Sequence, residues 1–166
     1  MTRALSPSPL TKQAFAPFGD VITTDGATEL SINEGTTTRF HDLAEVDTAA
    51  DGGRPLISIF RGQPRSRPVP LYMMERHLIG SQAFYPLQNR PWLVVVAERR
   101  DSVAPEDLRV FLAQGHQGVN YHRGVWHHPL LVLEPDSDFL IVDRGGTGMD
   151  LEEFWFREDQ KIFEII

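Results

Sequence analysis

The sequence predicts an all-β fold, a sandwich or barrel with a few short helices. Some ten short apolar segments are separated by turn residues, with about 8–12 residues from one segment to the next. Strands do not alternate with helices, which argues against a doubly wound α/β fold. The 13 glycines and 12 prolines are scattered rather than gathered in a linker, and no repeat interrupts the chain. We therefore expect a single domain over residues 1–166.

The helices should be few and short. Thr11 can cap a helix over Lys12–Phe15, which Pro17 would end. The stretch Leu43–Ala50 can hold another turn. Pro105, followed by two acidic residues, has the form of a helix start that Gly115 keeps brief.

The remaining apolar segments read as strands. Most alternate or run continuously over four to nine residues, as strands do. In chain order the predicted strands are Thr37–His41, Leu56–Arg61, Leu71–His77, Gln82–Leu87, Trp92–Ala97, Val110–Ala113, Gly118–His122, Val125–Leu133, Phe139–Asp143 and Phe154–Phe156.

Composition excludes several classes of protein. The formal net charge is −7, which argues against a nucleic-acid-binding protein. No apolar run reaches the length that a membrane-spanning helix requires, and no secretory leader is evident, so no membrane partner is expected. Cysteine is absent, which excludes disulfides, thiol catalysis and thiolate metal sites, and fits a cytoplasmic protein.

Histidines are concentrated in one segment. Three of the six, His122, His127 and His128, fall within seven residues. Imidazole titrates near neutral pH and binds metals, so a cluster is a candidate reactive site. The plainer alternative is that these histidines and Trp126 only pack at a barrel mouth. His41 and His116 stand alone, and we expect no chemistry from them.

A second group of polar residues precedes and follows a glycine turn. Glu75 and His77 are two apart, so in a strand they share a face, and Arg76 points the other way. Gly80 permits a tight turn that can return Gln82 to the same pocket. A wet face of an antiparallel sheet is the alternative interpretation.

These two segments resemble the motifs of the cupin superfamily. The spacing Glu75-x-His77-x(4)-Gln82 is similar to His-x-His-x(3–4)-Glu, and Gly124 through His127 is similar to Gly-x-x-His. The resemblance implies a double-stranded β-helix, or jelly-roll barrel, with both motifs lining one interior pocket. Glu75 in place of histidine and Gln82 in place of glutamate depart from the pattern.

The whole chain more closely resembles the ureidoglycolate lyase family. The blocks that carry the resemblance are Ala14–Phe15, Phe18–Ile22, Arg39–Leu43, Glu75–His77, Gly80, Gln82–Phe84, Val94–Ala97, Gly118–His122, Val125–Leu130, Asp138–Leu140 and Asp143–Gly146. The resemblance implies a lyase that cleaves (S)-ureidoglycolate to glyoxylate and urea in allantoin and purine degradation. It also implies a homodimer.

Such a reaction needs groups that move protons and groups that hold the substrate. His122, His127 and His77 are the candidates for acid–base catalysis. For the substrate carboxylate a bidentate arginine is suited, Arg61 first and Arg123 second. The amides of Gln82 and Asn120 are further substrate-binding candidates.

Two alternatives stay open for a metal. Glu75, His77, Gln82 and His127 make a mixed nitrogen and oxygen set that suits nickel, manganese, iron or zinc. Without a metal, the same side chains would form a hydrogen-bonding pocket for the hydroxyl and ureido groups.

Two other functions compete with the lyase. One is a non-catalytic cupin that binds a small carboxylate such as glyoxylate, and the other is a metal-dependent cupin of different activity. The presence of both His122 and His127 favours an enzyme. The apolar segments 151–156 and 162–166 are expected to cover a core or a partner.

Overall fold

The computed structural model describes residues 3–160 and 162–164. The strands are β1 (Arg3–Leu5), β2 (Ser8–Pro9), β3 (Gly19–Ile22), β4 (Thr28–Ile32), β5 (Thr37–His41), β6 (Arg54–Gly62), β7 (Val69–Leu71), β8 (Met73–His77), β9 (Gln82–Pro86), β10 (Trp92–Ala97), β11 (Arg109–Ala113), β12 (Gly118–Tyr121), β13 (Trp126–His127), β14 (Leu131–Val132), β15 (Ser137–Gly145), β16 (Leu151–Trp155) and β17 (Ile162–Glu164). The one α-helix in this part of the chain is α1 (Lys12–Phe15), and single 3₁₀ turns lie at Asn33–Gly35, Ala50–Gly52, Pro105–Asp107 and Glu158–Gln160.

The predicted helix starts are confirmed. The Thr11 hydroxyl accepts a hydrogen bond from the Ala14 amide at 3.1 Å and caps α1. At the second start, Pro105 opens a 3₁₀ turn in which the Asp107 carboxylate accepts from the Ala104 amide. The turn expected in Leu43–Ala50 forms only at the end of that stretch, where Ala50 begins a 3₁₀ turn. No helix of the described residues has the length and apolarity to span a bilayer.

Two predicted strands are interrupted. Leu71–His77 is divided at Tyr72 into β7 and β8, which belong to different sheets. Val125–Leu133 is divided into β13 and β14 around Pro129, which has no amide proton for a strand ladder. The prediction also missed β1, β2, β3, β4 and β17, and it started β16 three residues too late.

Two sheets form the body of the molecule. The first has the strand order β16-β8-β13-β10-β11-β2, with β14 also paired to β10, and the second has the order β3-β12-β9-β15-β6. Between β8 and β13 the chain crosses repeatedly from one sheet to the other: β8, β10, β11 and β13 lie in the first sheet, and β9 and β12 lie in the second, as in a jelly roll. The all-β, cupin-like prediction is confirmed.

Strand β10 is the centre of the core because it is buried on both faces. Trp92, Val94 and Val96 pack between the two sheets against residues of β9, β12 and β15. Leu93, Val95 and Ala97 pack on the outer face of the first sheet against residues of β7, β8 and β13. A strand buried on both faces reads as a continuous apolar run, as the sequence indicates here.

The outer layer involves both ends of the described chain. The β17 backbone pairs with β1 and β7. Phe156 is buried in the outer cluster, with Phe154 packed against it, so this part of the expected apolar tail covers a core. Residues 161, 165 and 166 of that tail lie outside the described residues.

Strands β4 and β5 form a separate hairpin, which we call the arm. Among the described residues their ladder joins them only to each other, and every side chain of both strands is exposed. The arm therefore projects from the two-sheet body.

Candidate functional site

Strand alternation directs one side of β8 into the space between the sheets. Glu75 and His77 point inward and are partly buried, whereas Arg76 points to the outer face. There Arg76 donates to Glu152 at 2.6 Å and lies 4.3 Å from the centre of the Trp126 ring. The predicted opposition of Arg76 to Glu75 and His77 is confirmed.

Strand β13 brings His127 beside these residues. His127 is the register partner of Glu75, and its Nε2 lies 3.5 Å from Glu75 Oε1. Its Nδ1 lies 3.2 Å from the Val125 carbonyl, which can only accept, so Nδ1 carries the proton. Nε2 then holds a lone pair, and it is buried without a hydrogen-bond partner among the described residues.

Two rings fix the plane of the His127 imidazole. Tyr121 stacks on it with ring centres 4.2 Å apart and planes within 6°, and His77 stacks at 5.6 Å and 23°. Tyr121 is on β12 of the second sheet, so the stack crosses the interior. Sequence reasoning missed Tyr121, although it alternates with the core residue Val119.

A chain of hydrogen bonds continues from His77 into the second sheet. His77 Nε2 lies 3.2 Å from Gln82 Oε1, and Gln82 Nε2 donates to Asp143 Oδ2 at 3.2 Å. On the other side of the ring, His77 Nδ1 lies 3.7 Å from Asp150 Oδ2. Neither acid was a predicted site residue, but Asp143 follows Phe139 and Ile141 at strand spacing and so faces inward with them.

Glu75, His77 and His127 together can hold a divalent cation. Each offers one ligand atom, and these atoms lie within 4.8 Å of one another. The donor arrangement fits a metal, because His127 donates Nδ1–H to a carbonyl and presents a buried, unpartnered Nε2. Gln82 Oε1 is the nearest oxygen that could extend the set.

Electrostatics keep Glu75 and His77 in the protonation states that metal binding or proton acceptance requires. Burial and the neighbouring His127 lower the pKa of His77, so its ring is neutral at pH 7. Burial alone would raise the pKa of Glu75, but the imidazoles of His127 and His77 outweigh it and lower that pKa below the ordinary value. Glu75 is therefore ionised at neutral pH.

A cavity of about 430 Å³ opens onto Glu75. Its collar is largely apolar, and the Phe60 and Phe84 rings in it meet edge to face at 5.9 Å. Besides Glu75, the residues that line it are Phe60, Arg61, Gly62, Phe84, Pro129 and Leu130. Its volume suits a ligand of few heavy atoms.

The two nominated arginines are both engaged by acids. Arg61 lies at the cavity mouth, where Asp138 accepts from its Nε at 2.7 Å and from its Nη2 at 2.9 Å. Arg123 Nη2 lies 3.0 Å from Asp47 Oδ2, away from the Glu75 cavity.

His122 and Asn120 lie on the opposite face of β12 from Tyr121. His122 Nε2 lies 3.0 Å from Asp20 Oδ2, and Asn120 donates to the same oxygen at 3.0 Å. These hydrogen bonds outweigh partial burial and lower the pKa of Asp20. The structure thus joins Glu75, His77, Gln82 and His127, and it separates His122 and Asn120 from them.

The other histidines are not part of the cluster. His116 contacts Asp25 at 3.3 Å on the surface, and His41 is exposed on the arm. His128 is buried, donates from Nδ1 to the Pro129 carbonyl at 2.8 Å, and leaves Nε2 without a partner among the described residues. Burial lowers the pKa of His128 to about 4, so the ring is neutral.

Comparison with known proteins identifies the family. A family model described as ureidoglycolate lyase matches residues 2–163. A protein named ureidoglycolate lyase from Burkholderia mallei (strain NCTC 10229) is 55% identical over 163 residues, 95% of each chain. Another from Brucella anthropi is 63% identical over 150 residues, 90% of this chain and 88% of the relative.

A solved structure, that of a TDP-quinovose 3,4-ketoisomerase from Campylobacter jejuni, aligns with a TM-score of 0.44 at 8% identity over 77% of this chain and 85% of that one. The family model and the two relatives cover nine tenths or more of this sequence. The chain therefore belongs to the ureidoglycolate lyase family.

Proposed function

We propose that this protein cleaves ureidoglycolate to glyoxylate and urea. The observation that supports this most is the convergence of Glu75, His77 and His127 beneath an accessible cavity in a member of this family. The substrate is small and polar, so it needs an enclosed pocket with charged contacts rather than a flat surface.

The reaction is an elimination at one carbon. A base removes the hydroxyl proton, the carbon–oxygen bond becomes double, and the carbon–nitrogen bond breaks. The departing nitrogen takes a proton, since a urea anion is a poor leaving group. One proton leaves oxygen and one reaches nitrogen, so a single group can carry it between the two atoms.

His127 is suited to carry that proton. Its Nδ1–H is fixed by the Val125 carbonyl, and its Nε2 lone pair can accept from the substrate hydroxyl. Glu75, 3.5 Å away and ionised, stabilises the resulting imidazolium. Neutral His77 is the second candidate for proton transfer. We give His122 no part in the elimination, because it faces the other side of β12 with Asp20.

A divalent metal is a further part of the proposal. Glu75, His77, Gln82 and His127 would hold nickel, manganese, iron or zinc, and the bound ion would polarise the hydroxyl and lower its pKa. The His77 Nε2 to Gln82 Oε1 separation of 3.2 Å is compatible with two adjacent ligand atoms on one ion. His127 and Glu75 would then both be ligands, and proton transfer would fall to a group outside the four residues.

The purified protein tests both versions. Ureidoglycolate is added with and without a chelator, and glyoxylate is followed over time. Release that the chelator abolishes supports the metal version, and release that it leaves intact supports His127 as proton carrier. If neither condition gives glyoxylate above the uncatalysed rate, the lyase is excluded. Binding of glyoxylate without turnover would then favour the alternative of a non-catalytic carboxylate-binding cupin.

We also propose that the protein is a cytoplasmic homodimer. The exposed apolar side chains of edge strand β6, Ile57 at 75% and Ile59 at 54% exposed, support association. The absence of cysteine fits a reducing compartment. Sedimentation at the mass of one chain would contradict the dimer, and fractionation of cells tests the location.

A further inference from the structure

We propose that the arm of one copy docks on a second copy and supplies Arg39 to its Glu75 cavity, where the guanidinium binds the substrate carboxylate. The identity of that ligand rests on the proposed function. The last three residues of the arm, Arg39–His41, fall in the Arg39–Leu43 block that carries the family resemblance, and they are not among the residues that form the Glu75 site of their own chain.

The arm needs a surface to pack on. A two-stranded hairpin is marginally stable alone in water, and β4 and β5 have no ladder to any other strand among the described residues. Leu30 and Ile32 are nevertheless 39% and 37% exposed. Burial of such side chains against a partner would stabilise the arm.

One face of the arm combines apolar contact with a free cation. Arg39 is the register partner of Leu30, and Thr37 is the partner of Ile32, so these four side chains share a face. Arg39 makes no hydrogen bond or ion pair with any described residue. Its fork is therefore available to a carboxylate.

The cavity has acids in excess, and Arg61, the arginine among its lining residues, is already paired with Asp138. Glu75, Asp143 and Asp150 surround the histidines. Three arginines of the neighbouring strands are engaged elsewhere: Arg61 by Asp138, Arg76 by Glu152, and Arg144 by the carbonyls of Ala50, Asp51 and Thr147. The arm face that carries Arg39 holds no acidic side chain, because Glu29 is on the opposite face, so this face is complementary in charge to the site.

The surface beside the cavity suits the arm's apolar face. The collar includes Phe60, Pro129 and Leu130, and the same edge strand β6 exposes Ile57 and Ile59 on its other face. A second copy presents both the arm and this surface, so two copies can exchange arms symmetrically. The competing source of the cation is Arg65, in the exposed loop after β6 of the same chain.

Subunit mixing tests whether the site is shared. The R39A variant has an intact cavity without the arm cation, and the E75Q variant has an intact arm beside a disabled cavity. Each alone should be impaired, R39A with KM raised roughly 10–100-fold. After dissociation and reassociation of an equal mixture, half the dimers are mixed and one site in each is complete, so about one quarter of wild-type activity should return. The arm variant E29A, on the opposite face from Arg39, should keep wild-type KM.

No recovery in the mixture overturns the proposal, because it means that Arg39 does not act across chains. An unchanged KM in R39A with a raised KM in R65A also overturns it and assigns the cation to Arg65. A full recovery of KM in R39K would identify a simple charge effect, and a partial one fits the loss of the bidentate fork.

A readout without turnover separates this inference from the lyase itself. Since the chain has no cysteine, R39C in one copy and Q63C in another carry the only thiols. A bismaleimide should join the two chains, and E29C in place of R39C should give little product. Failure to cross-link, or a single-chain mass for the wild type, overturns the arm exchange whether or not glyoxylate is released. Cross-linking in a protein without lyase activity would leave the arm exchange standing and reject only the proposed reaction.

Discussion

Removal of the negative charge of Glu75 should lower kcat by two to three orders of magnitude. The change that tests this is Glu75→Gln, which keeps the shape of the side chain and removes only its charge. Glu75 Oε1 lies 3.5 Å from His127 Nε2 in a site where His127 is 1% exposed. The negative charge therefore acts directly on a proton carried at that nitrogen.

The magnitude follows from the geometry. Two unit charges 4 Å apart attract by about 4 kcal/mol at an effective dielectric constant of about 20. Partial exposure of Glu75 screens this to about 3–4 kcal/mol, which corresponds to a rate loss of about 10²–10³-fold. If the cluster instead holds a metal, the same change removes one ligand and lowers metal affinity as well as kcat.

The assay is initial-rate glyoxylate formation with purified E75Q, beside a thermal melt that checks folding. Glu153→Gln is the matched control, because Glu153 is the β16 register partner of Glu75 but is exposed. We expect E153Q to lose less than about threefold, as usual for an exposed charge. The reasoning is refuted if E75Q folds normally and keeps more than about a third of wild-type kcat, because the attraction derived above would then be absent.

Three further predictions concern other parts of the molecule. Gly19→Ala should lower the free energy of unfolding in urea by about 3 kcal/mol, because the added Cβ would lie 1.9 Å from the Asn120 carbonyl oxygen at a φ of +153°. A decrease below about 1 kcal/mol would show that β3 and β12 can move apart freely. His128 has a pKa of about 4 in the folded state and about 6.5 in the unfolded state, so the unfolded state binds more protons below pH 6.5. The free energy of unfolding should therefore fall by about 2 kcal/mol between pH 7 and pH 5. The His128→Gln variant, unfolded at both pH values, should show a smaller fall. His122→Ala should lower kcat by less than about tenfold, because His122 pairs with Asp20 of β3 on the outer face of the second sheet. A loss of about 10²-fold or more would assign proton transfer to the His122–Asp20 pair.

Local signals predict much of the fold. The continuous apolar run of β10 indicates a strand buried on both faces, and Thr11 with Pro105 marks helix starts that hydrogen bonds confirm. Of the arm, β5 was predicted with its exact bounds at Thr37–His41, but β4 was missed, because it is exposed on both faces and its alternation has no buried side. The sheet partner of a strand depends on the winding of the whole chain, which a local pattern does not contain.

The same distinction holds for the site. Two-residue spacing is enough to place Glu75 and His77 on one face and Arg76 on the other. Proximity in sequence misleads for His122, because the five residues to His127 carry the chain from the outer face of the second sheet to the interior of the first. Asp150 reaches His77, and Asp143 reaches Gln82, only through tertiary contacts, so the residue spacing near position 77 does not predict either acid.

The sandwiched ring of His127 has a consequence for how such a site can diversify. Tyr121, His77 and the Val125 carbonyl hold the imidazole in place before any ligand arrives, so binding does not lose the roughly 0.5–1.5 kcal/mol that freezing a mobile side chain costs. Of the collar rings, Phe84 meets Tyr121 edge to face at 5.6 Å and supports the stack, whereas Phe60 makes no ring contact with His127 or Tyr121. Substitutions at Phe60 can therefore change which small molecule enters the cavity while His127 Nε2 stays in the same position.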